Sequence, residues 1–428
     1  MPPTTYEQRR QREGQSPTAL AAHQTQRLNA LLAAILPQNR FYADKLASVP
    51  HQLESLEQLA ALPYTYKDEL ANASQRGDFA ANLTYPIDHY VRYHRTSGTR
   101  GRPIVVLDTL VDWQWWLDTW QYILDAADVT PADRVLMAFS FGPFIGFWSA
   151  HDACIARNTL TIPTGGLSTK ARLDLITVTQ ATVIFTTPSY ALHMAEVAEE
   201  AGIVVGELGI RAIIVAGEPG GSVPAVRERI ERTWNARLID HAGASEVGPW
   251  GYGDPQARGL HVIEAEFIAE FLSVETGSPA VEGELSELIL TSLGRYGSPV
   301  IRYRTGDLVR PSWNSAGENR FVLLTGGVLG RVDDMLVVRG VNIFPTSIEQ
   351  ILLSFPEVVE WRMTARKAGA MDSLSVEIED HLQNPARVAE ELQLRLGLKV
   401  DVQCVALGSL PRFEGKGKRF IDQRQNTK

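Results

Sequence analysis

The residues that decide the fold run from Thr182 to Gly217 and read TVIFTTPSYALHMAEVAEEAGIVVGELGIRAIIVAG. A short β-rich run, TVIFTT, is followed by a helical pattern, SYALHMAEVAEE, and then by a second β-rich run, RAIIVAG. Short strands that alternate with helices of about 10 to 15 residues are typical of β-α-β units, in which the strands lie parallel. This stretch therefore predicts part of a parallel sheet covered by helices.

The same alternation extends on both sides of this stretch, from about Arg134 to His241. Further β-rich runs are RVLMAFS, TLTIP and ARLIDH, and further helical runs are LSTKARLDLITVT and VPAVRERIERTW. Upstream, residues 17–46 are rich in Ala, Leu and Gln and predict one or two helices, broken around Pro37, that brace the main domain. The fold class is therefore α/β, with a large parallel sheet.

Beyond Gly248 the pattern changes twice. Segments of period two, namely HVIEAEFIAEF, ELILTSL and VIRYRTGDLV, predict an antiparallel β subdomain. The last hundred or so residues mix short strands and helices and predict a small α+β domain. A Gly-rich stretch, TGGVLGR, precedes this second change, so we place the boundary near Gly330 to Asp334. The chain then divides into a large N-terminal domain, 1–330, and a small C-terminal domain, 331–428.

Length and composition exclude several classes of protein. A chain of 428 residues exceeds the size at which a single core keeps growing, which predicts about two to three domains. With 44% hydrophobic and 21% charged residues, it is not a disordered, collagenous or disulfide-scaffold protein. Its 41 Lys and Arg against 50 Asp and Glu give a net charge of -9, which disfavours binding to nucleic acid or to an anionic membrane. Any phosphate must therefore be held by local contacts.

The remaining global signals concern location. Cys154 and Cys404 lie far apart and form no CxxC pattern, which fits a reducing compartment. The polar N-terminus has no apolar leader core, and no stretch supplies about 18 consecutive apolar residues. We therefore expect a cytoplasmic protein without a membrane partner.

The loop from Thr96 to Pro103, TSGTRGRP, is the first segment that carries chemistry. Its hydroxyls and glycines, with arginines beside them, let backbone N–H groups approach phosphate oxygens closely. It lacks the Walker A order GxxxxGK(S/T), so a P-loop NTPase is disfavoured. By itself, such a run could equally be a hydroxyl-rich surface turn.

Four further segments decide between these interpretations: Asp240–Glu246 (DHAGASE), Tyr303–Asp307 (YRTGD), Gly330–Asp334 (GRVDD) and Pro411–Lys416 (PRFEGK). Together with the loop at Thr96, their order and spacing resemble the motifs of the adenylate-forming, or acyl-CoA synthetase, superfamily. The likeness is greatest to the phenylacetate–CoA ligase branch, as in FYADKL, TTPSYAL, GEPGG, DDMLVVRGVNIFP and LPRFEGKGKRFIDQR. It covers the chain from about residue 25 to the C-terminus.

This resemblance implies a reaction in two steps. A small aromatic or arylalkanoic acid attacks the α-phosphate of ATP and expels pyrophosphate, and coenzyme A then takes the acyl group from the adenylate. ATP, Mg²⁺ and coenzyme A are the implied cofactors and co-substrates. Because negative charge gathers at one phosphorus, catalysis needs positioning and charge stabilisation rather than a nucleophilic side chain.

The family's functional positions transfer to this chain through its motifs. The implied catalytic set is Thr96, Glu246 and Lys416. Glu246 is also expected to help hold Mg²⁺, and Lys416 to bridge the carboxylate and the α-phosphate. Asp307 is expected to accept both ribose hydroxyls, and Asp333 to be the hinge about which a mobile C-terminal domain moves between the steps. The implied nucleotide-binding residues are Thr96, Ser97, Gly98, Thr99, Arg100, Gly101, Glu218, Pro219, His241, Ala242, Ser245, Asp307 and Arg331.

Three features depart from the family pattern. Arg100 stands where threonine is usual in the phosphate loop, and it adds a cation close to the expected pyrophosphate. Ala242 replaces an aromatic residue that packs on adenine, which leaves one face of the base less covered. From Gly253 to Arg331 the chain has no Cys and only His261, so we expect no structural zinc site.

The sequence indicates the residues of the acid-binding pocket less clearly than those of the nucleotide site. By resemblance, its lining comprises Phe141, Ile145, Trp148, Ala216, Gly217 and Gly243. Aromatic walls with glycine gaps suit a flat ring. The tryptophans nearest the phosphate loop are interpreted as core or interface rather than substrate contacts: Trp113, Trp115, Trp116 and Trp120. His151 and His241 are interpreted as structural, because a carboxylate is already ionised at neutral pH and needs no general base.

Alternatives to this function stay open. Within the family, the acyl group could pass to a carrier-protein thiol or to an amine instead of coenzyme A. A non-catalytic adenylate-binding protein would keep the fold without turnover, and Arg100 and Ala242 are the residues that favour it. Intact Glu246, Asp307 and Lys416 oppose it. A Trp-rich surface and the oligomeric state that is usual in the family favour a homodimer.

Overall fold

The central feature of this computed structural model is a nine-stranded sheet flanked by helices. The structure describes residues 4–71, 79–96, 103–313, 317–332, 336–338, 341–368, 371–396, 399–411 and 419–423. The helices in these residues are α1 (Tyr6–Glu13), α2 (Pro17–Ile35), α3 (Arg40–Lys45), α4 (Lys67–Ala71), α5 (Leu110–Ala126), α6 (Ile145–Ala156), α7 (Thr169–Thr179), α8 (Pro188–Glu200), α9 (Pro224–Trp234), α10 (Pro345–Leu353) and α11 (Pro385–Leu396).

The strands of the same residues form the central sheet, two four-stranded sheets and two hairpins. They are β1 (Tyr90–Arg95), β2 (Val105–Thr109), β3 (Arg134–Met137), β4 (Leu160–Pro163), β5 (Val183–Thr186), β6 (Ala212–Val215), β7 (Arg237–Ala244), β8 (Gly248–Gly253), β9 (Gly259–Val262), β10 (Phe267–Ser273), β11 (Ser286–Ser292), β12 (Tyr303–Val309), β13 (Pro311–Ser312), β14 (Leu323–Thr325), β15 (Gly330–Arg331), β16 (Leu336–Val338), β17 (Val341–Ile343), β18 (Val358–Ala368), β19 (Met371–Asp380), β20 (Asp401–Cys404) and β21 (Phe420–Asp422).

The parallel part of the central sheet confirms the sequence prediction. The strand order is β13-β14-β9-β8-β7-β6-β5-β3-β4, and the five strands from β7 to β4 pair in parallel. Strands β5 and β6, VIFT and AIIV, are buried along their whole length. A strand with helices on both faces has no polar side to present, which explains why these strands appear in the sequence as continuous apolar runs.

The prediction of a separate antiparallel β subdomain after Gly248 is partly wrong. Strands β8 and β9 pair antiparallel and extend the central sheet. The second sheet, of order β10-β11-β12-β15, begins only at Phe267. The run HVIEAEFIAEF therefore serves two sheets, because a turn closed by Glu266 N–H and the carbonyl of Ile263 separates β9 from β10. An alternating pattern continues across such a turn, so periodicity alone does not reveal the break.

The N-terminal helices brace the large domain as predicted. Helix α2 ends at Ile35, two residues before Pro37, and α3 begins anew with Asn39 as its cap. The apolar side of α2 packs on the second sheet and its loops in one buried cluster. The members from α2 are Leu28, Leu31, Leu32 and Ile35, and their partners include Ile268, Leu293 and Ile301.

The tryptophans of α5 are interpreted from the sequence as core or interface residues, and the structure shows that they are core residues. Each is at most 8% exposed, and each indole N–H donates to a buried or half-buried oxygen. Trp313 is the one tryptophan among the described residues that counts as exposed, at 47%. The expectation of a Trp-rich surface is therefore wrong, and the tryptophans give no support to a homodimer.

The C-terminal part forms an α+β unit with its own core. Strands β18 and β19 make a long antiparallel hairpin, to which β20 and β21 add in parallel, in the order β20-β19-β18-β21. Helices α10 and α11 contribute Ile348, Leu352, Val388 and Leu392 to a cluster that is separate from the cores of the larger part. Strand β15 still pairs with β12 of the larger part, through Arg331 and Asp307. The division at 330/331 stays a prediction.

We find no helix among the described residues that has both the length and the apolar character needed to cross a membrane.

Candidate active site

Three of the sequence-predicted site residues, Phe141, Gly217 and Gly243, lie at one edge of the central sheet. Strands β3, β6 and β7 run parallel, and the segments that follow β3 and β6 carry Phe141 and Gly217. Gly243 lies near the end of β7, at this same edge. In open α/β sheets, ligands bind in the crevice outside the carboxyl ends of the strands. The topology therefore brings these three predicted acid-binding residues to the place where a ligand is expected.

A β-hairpin carries the predicted phosphate loop. Strands β1 and β2 pair antiparallel, and Thr96 and Ile104 extend the ladder beyond them. The Thr96 N–H donates to the Ile104 carbonyl at 3.0 Å, and the Thr96 hydroxyl accepts the Ile104 N–H at 2.9 Å. The backbone N–H and the hydroxyl oxygen of Thr96 thus both form hydrogen bonds with Ile104 at the base of the hairpin. The predicted phosphate-binding residues that follow it lie outside the described residues: Ser97, Gly98, Thr99, Arg100 and Gly101.

Glu246 follows the end of β7, and a tyrosine holds its carboxylate. The Tyr303 hydroxyl donates to Oε1 of Glu246 at 2.8 Å, and Tyr303 is itself buried at 1% exposure. Burial, followed by the negative charge of Glu246, raises the pKa of Tyr303 well above its usual value. The hydroxyl therefore remains a donor at neutral pH and fixes one oxygen of Glu246. Tyr303 belongs to the YRTGD motif, but the sequence alone does not predict that it contacts Glu246.

Asp307 lies on a bulge in β12. Arg304 and Leu308 of this strand pair with Ile289 and Glu287 of β11, so the intervening residues of β12 bulge out of the ladder. Gly306 allows this bulge, because its φ of +74° is unfavourable for other residues. The bulge moves Asp307 out of the regular pleat.

Arg331 lies opposite Asp307 on β15. Its Nη1 donates to Oδ1 of Asp307 at 2.8 Å, and its Nη2 donates to the Thr305 carbonyl at 2.9 Å. The side chain of Arg331 is 37% exposed and that of Asp307 is 15% exposed. The two predicted ribose-side residues therefore form one half-exposed pair, and their assignment to the ribose stays a prediction.

His241 lies in the core rather than in the crevice. Its Nδ1 donates to the Gly251 carbonyl at 2.8 Å, and its ring packs on Trp120 at a centroid distance of 4.3 Å. Burial lowers the pKa of His241 to about 4, so the ring is neutral at pH 7. This placement agrees with the structural interpretation of His241 and leaves only its backbone for a nucleotide contact. The half-buried Ala242 follows it and pairs with Gly251 of β8.

The buried His241 predicts a pH-dependent stability difference. The folded pKa of about 4 lies below the unfolded value of 6.5, so the unfolded chain takes up a proton first as pH falls. Relative to wild type, His241→Gln is expected to become more stable by about 1 kcal/mol in unfolding free energy for each unit by which pH falls from 6.5 to 5. Urea unfolding of both proteins at several pH values measures this difference.

The difference between the two proteins is the informative quantity, because other buried groups oppose the trend. Burial raises the pKa of Glu264 to about 7, so that carboxyl binds its proton more tightly in the folded state and stabilises the fold as pH falls. This contribution is common to both proteins and cancels in the comparison. A stability difference that does not change with pH would contradict a neutral, buried His241.

The predicted acid-binding aromatics form a cluster after β3. Phe141 packs edge-on against Trp148 at 4.9 Å and against His151 at 5.7 Å, and Trp148 Nε1 donates to the Gly142 carbonyl. Phe141 and Trp148 are half-buried, whereas Ile145 is 2% exposed within the main core. Phe141 and Trp148 thus remain partly accessible to a ligand, and both pack against the main core to which Ile145 belongs.

His151 takes part in a side-chain network. Its Nδ1 lies 3.0 Å from Oδ1 of Asp152, whose other oxygen accepts from Arg92 and from Trp113 Nε1. A ring held in this way needs no catalytic role to explain its position. This arrangement agrees with the structural interpretation of His151.

The segment after β6 faces the C-terminal part. Gly217 has a φ of +93°, and Glu218 beyond it accepts the Ser189 N–H at 2.7 Å. The second oxygen of Glu218 lies 3.9 Å from Nη1 of Arg419. A cleft between the two parts is lined by Glu218, Pro219, Glu360, Trp361 and Arg419, among others. Of the predicted nucleotide-binding residues, Glu218 and Pro219 therefore lie at this interface, beside the half-buried Ala216.

Two predicted functional residues, Lys416 and Asp333, lie outside the described residues. Their assigned roles in catalysis and as the hinge stay predictions.

The carboxylate of Glu246 is the candidate ligand for a metal ion in this site. No group of three or more His, Cys, Asp or Glu side chains with metal-binding geometry occurs in the part of the chain that the structure describes. Mg²⁺ typically uses one or two carboxylates together with substrate phosphates and waters, rather than an all-protein cage. Glu246, with one oxygen fixed by Tyr303, fits such a site. The expected lack of zinc stays a prediction.

Comparison with known proteins confirms the resemblance deduced from the motifs. Residues 340–424 match the family model described as the AMP-binding enzyme C-terminal domain. The chain is similar to the phenylacetate-coenzyme A ligase of Thermus thermophilus, at 30% identity over 95% of this chain and 97% of that protein. It is also similar to the phenylacetate-coenzyme A ligase of Escherichia coli, at 33% identity over 95% of each.

Among solved structures, the fold is similar to that of 2-hydroxyisobutyryl-CoA ligase. In the postadenylation state that protein superposes with a TM-score of 0.89 at 25% identity, covering 97% of this chain and 92% of its own. In the thioesterification state the TM-score is 0.73, also at 25% identity, over 99% and 94% of the two chains. The chain as a whole is thus more similar to the first state. With 30% and 33% identity to two ligases over nearly their whole lengths, this chain belongs to the phenylacetate–coenzyme A ligase family of adenylate-forming enzymes.

Proposed function

We propose that this protein is an ATP- and Mg²⁺-dependent ligase that activates a small aromatic or arylalkanoic carboxylic acid. An oxygen of the acid bonds to the α-phosphorus of ATP as the bond to pyrophosphate breaks. The sulfur of coenzyme A then bonds to the acyl carbon as AMP leaves. The products are an aryl-CoA thioester, AMP and pyrophosphate.

The observation that carries this proposal is that one strand supports both carboxylates assigned to the nucleotide. Tyr303, the first residue of β12, holds Glu246, and Asp307 lies four residues further along the same strand. Four residues of strand span at most about 13 Å. This length is comparable with that of a nucleotide from its ribose to its terminal phosphate. One ATP molecule could therefore place its phosphates at Glu246 and its ribose at Asp307.

The remaining proposed roles concern the phosphate groups of ATP. Glu246 would hold Mg²⁺ together with phosphate oxygens, and the bound ion would neutralise part of the phosphate charge. Lys416 would stabilise the charge that develops at the α-phosphate. Arg100 would add a permanent cation near the departing pyrophosphate. Because catalysis of this kind depends on positioning, no side chain is assigned a covalent role.

The choice of acid and acceptor is supported by the relatives and by the aromatic cluster. Several relatives are named phenylacetate-coenzyme A ligases, and half-buried Phe141 and Trp148 offer flat apolar walls. ATP and coenzyme A serve as co-substrates, so the reaction belongs in a compartment that supplies both.

Pyrophosphate exchange across an acid panel tests the proposal. The panel contains benzoates, hydroxybenzoates, aminobenzoates, phenylacetate and indole acids, with an aliphatic acid of similar size as the control. We expect exchange with one or more aromatic acids, and addition of coenzyme A should then give a product with the mass of the acyl-CoA. A product formed only with an amine or a carrier-protein thiol would identify a different acceptor. Nucleotide binding without exchange for any acid would contradict a catalytic function.

The proposed hinge predicts a split between the two half-reactions. Asp333→Pro fixes φ near −65° and removes a backbone donor, which should hinder rotation of the C-terminal part. We expect transfer of a preformed acyl-adenylate to coenzyme A to slow by about tenfold more than pyrophosphate exchange. Single-turnover measurements of each half-reaction provide the ratio. Asp333→Ala, which keeps the backbone freedom, is the matched control, and an unchanged ratio in the proline variant would exclude a hinge here.

A further inference from the structure

An arginine lies fully buried beneath the loop that carries Glu246. Both Arg295 and Asp108 have side chains with no exposure, and they form an ion pair in which Nε and Nη2 lie 2.8 and 2.7 Å from the same oxygen, Oδ1 of Asp108. The guanidinium also lies over the Trp116 ring, with its Cζ 5.5 Å from the ring centroid. Arg295 is thus held by β2 on one side and by α5 on the other. No pattern in the sequence distinguishes it from an ordinary arginine in a polar turn.

The free branch of this guanidinium reaches the backbone next to Glu246. Nη1 of Arg295 donates to the Ser245 carbonyl at 2.9 Å, and Ser245 directly precedes Glu246. Glu246 and Arg295 also line the same cavity, together with Ile104 at the base of the hairpin. Two contacts therefore fix Glu246: Tyr303 holds one carboxylate oxygen, and Arg295 holds the preceding peptide.

Stability alone does not account for this arrangement. A buried ion pair often contributes little, because desolvation of two charges offsets their attraction, and apolar replacements can be neutral or stabilising. The planar fork of arginine, in contrast, can bind a carboxylate and a carbonyl at once in fixed directions, which lysine cannot do. Since Asp108 balances the charge, Arg295 offers little net attraction to phosphate. Its contribution is geometric.

We propose that Arg295 is a positioning residue for the metal–nucleotide complex. It fixes the Ser245 peptide and thereby the direction in which Glu246 presents its carboxylate, while Asp108 fixes Arg295. This inference rests on the proposed function, in which Glu246 holds the metal bound to ATP. Groups that orient a metal ligand typically influence metal affinity by about 10- to 100-fold.

Arg295→Lys tests the proposal without removing the buried charge. A lysine can pair with Asp108, but it lacks the second branch that reaches the Ser245 carbonyl. The probe is Mn²⁺, whose binding in the presence of ATP and the absence of any acid is followed by electron paramagnetic resonance. We expect the Mn²⁺ concentration at half-saturation to rise by about tenfold. ATP binding measured in the presence of a chelator should stay unchanged.

A matched control is available elsewhere in the chain. Arg9 is also buried, pairs with Asp125 through two hydrogen bonds, and donates to the Thr4 carbonyl. Arg9→Lys makes the same chemical change away from Glu246 and should leave the Mn²⁺ midpoint at its wild-type value. Circular dichroism shows whether each variant is folded. If Arg295→Lys does not fold, the charge-balanced double variant Asp108→Asn with Arg295→Met, which removes the ion pair and the contact with the Ser245 carbonyl together, should show the same increase.

The outcomes separate this inference from the function on which it rests. A wild-type Mn²⁺ midpoint in a folded Arg295→Lys protein would overturn the positioning role and leave the ligase proposal intact. A similar loss of ATP affinity with and without metal would also overturn it, because the arginine would then act on the nucleotide and not through Glu246. If the wild-type protein itself bound no Mn²⁺ with ATP, both proposals would fall.

Discussion

Lys416→Ala is expected to slow acid-dependent pyrophosphate exchange by about 10²- to 10³-fold. The lysine is assigned to the α-phosphate, where negative charge increases as the carboxylate attacks. A fixed cation that interacts more strongly with this transition state than with bound ATP lowers the barrier to adenylation specifically. Transfer of a supplied acyl-adenylate to coenzyme A involves a different charge distribution and should be largely spared. The two half-reactions are measured separately, by exchange and by thioester formation.

The contacts of Arg419 support this assignment for a residue three positions away in the sequence. The Arg419 carbonyl accepts the Met363 N–H at 2.8 Å, and its guanidinium pairs with Glu360, both within the C-terminal part. The same guanidinium lies 3.9 Å from Glu218 of the larger part. Arg419, three residues beyond Lys416, is therefore anchored on the C-terminal sheet at its interface with the segment after β6. The proposed role of Lys416 requires this kind of proximity between the two parts.

Lys418→Ala is the matched control, because it removes an equal charge from the same basic run. It should change the exchange rate by less than about threefold, as expected for a charge that does not contact the transition state of adenylation. Equal loss of both half-reactions in Lys416→Ala would contradict a role confined to adenylation. A large effect of Lys418→Ala would show that the whole run attracts the nucleotide and that no single lysine is positioned.

The parts of the fold that sequence predicts best are those in which local pattern and burial coincide. Strands β5 and β6 appear as continuous apolar runs because both of their faces are covered, and α2 ends where Pro37 approaches. The division of HVIEAEFIAEF between two sheets was not predictable in this way. Both halves of the run show the alternation expected of a strand, so only their pairing partners reveal to which sheet each belongs. Strand β9 pairs with β8 and β14, whereas β10 pairs with β11.

The same contrast holds within the candidate site. Asp307 and Glu246 lie in recognisable motifs, so resemblance assigned them roles before their contacts were known. Tyr303 and Arg295 act through partners 57 and 50 residues away in the chain. Their positions become informative only when strands β7 and β12 are placed in the fold. Supporting residues of this kind are therefore the part of a site that a single sequence conceals.

Asp307→Ala is expected to lower kcat/KM for ATP by about 10²-fold or more. The carboxylate is assigned to both ribose hydroxyls, and each charge-assisted hydrogen bond contributes roughly 1.5 to 3 kcal/mol. The fold should tolerate the change, because Arg331 is 37% exposed and can be solvated when its partner is removed. Pyrophosphate exchange at several ATP concentrations measures kcat/KM, and thermal unfolding of both proteins checks their stability.

Nucleotides that lack one ribose hydroxyl show whether Asp307 acts at the sugar. Wild-type protein should lose about 10- to 100-fold in kcat/KM with 2′-deoxy-ATP and again with 3′-deoxy-ATP, since each removes one hydrogen bond to the carboxylate. The Asp307→Ala protein has no such bond to lose and should treat all three nucleotides alike within about threefold. If it still discriminated against the deoxynucleotides as strongly as wild type, the ribose hydroxyls would be recognised elsewhere. The pair on β12 and β15 would then serve the sheet and not the nucleotide.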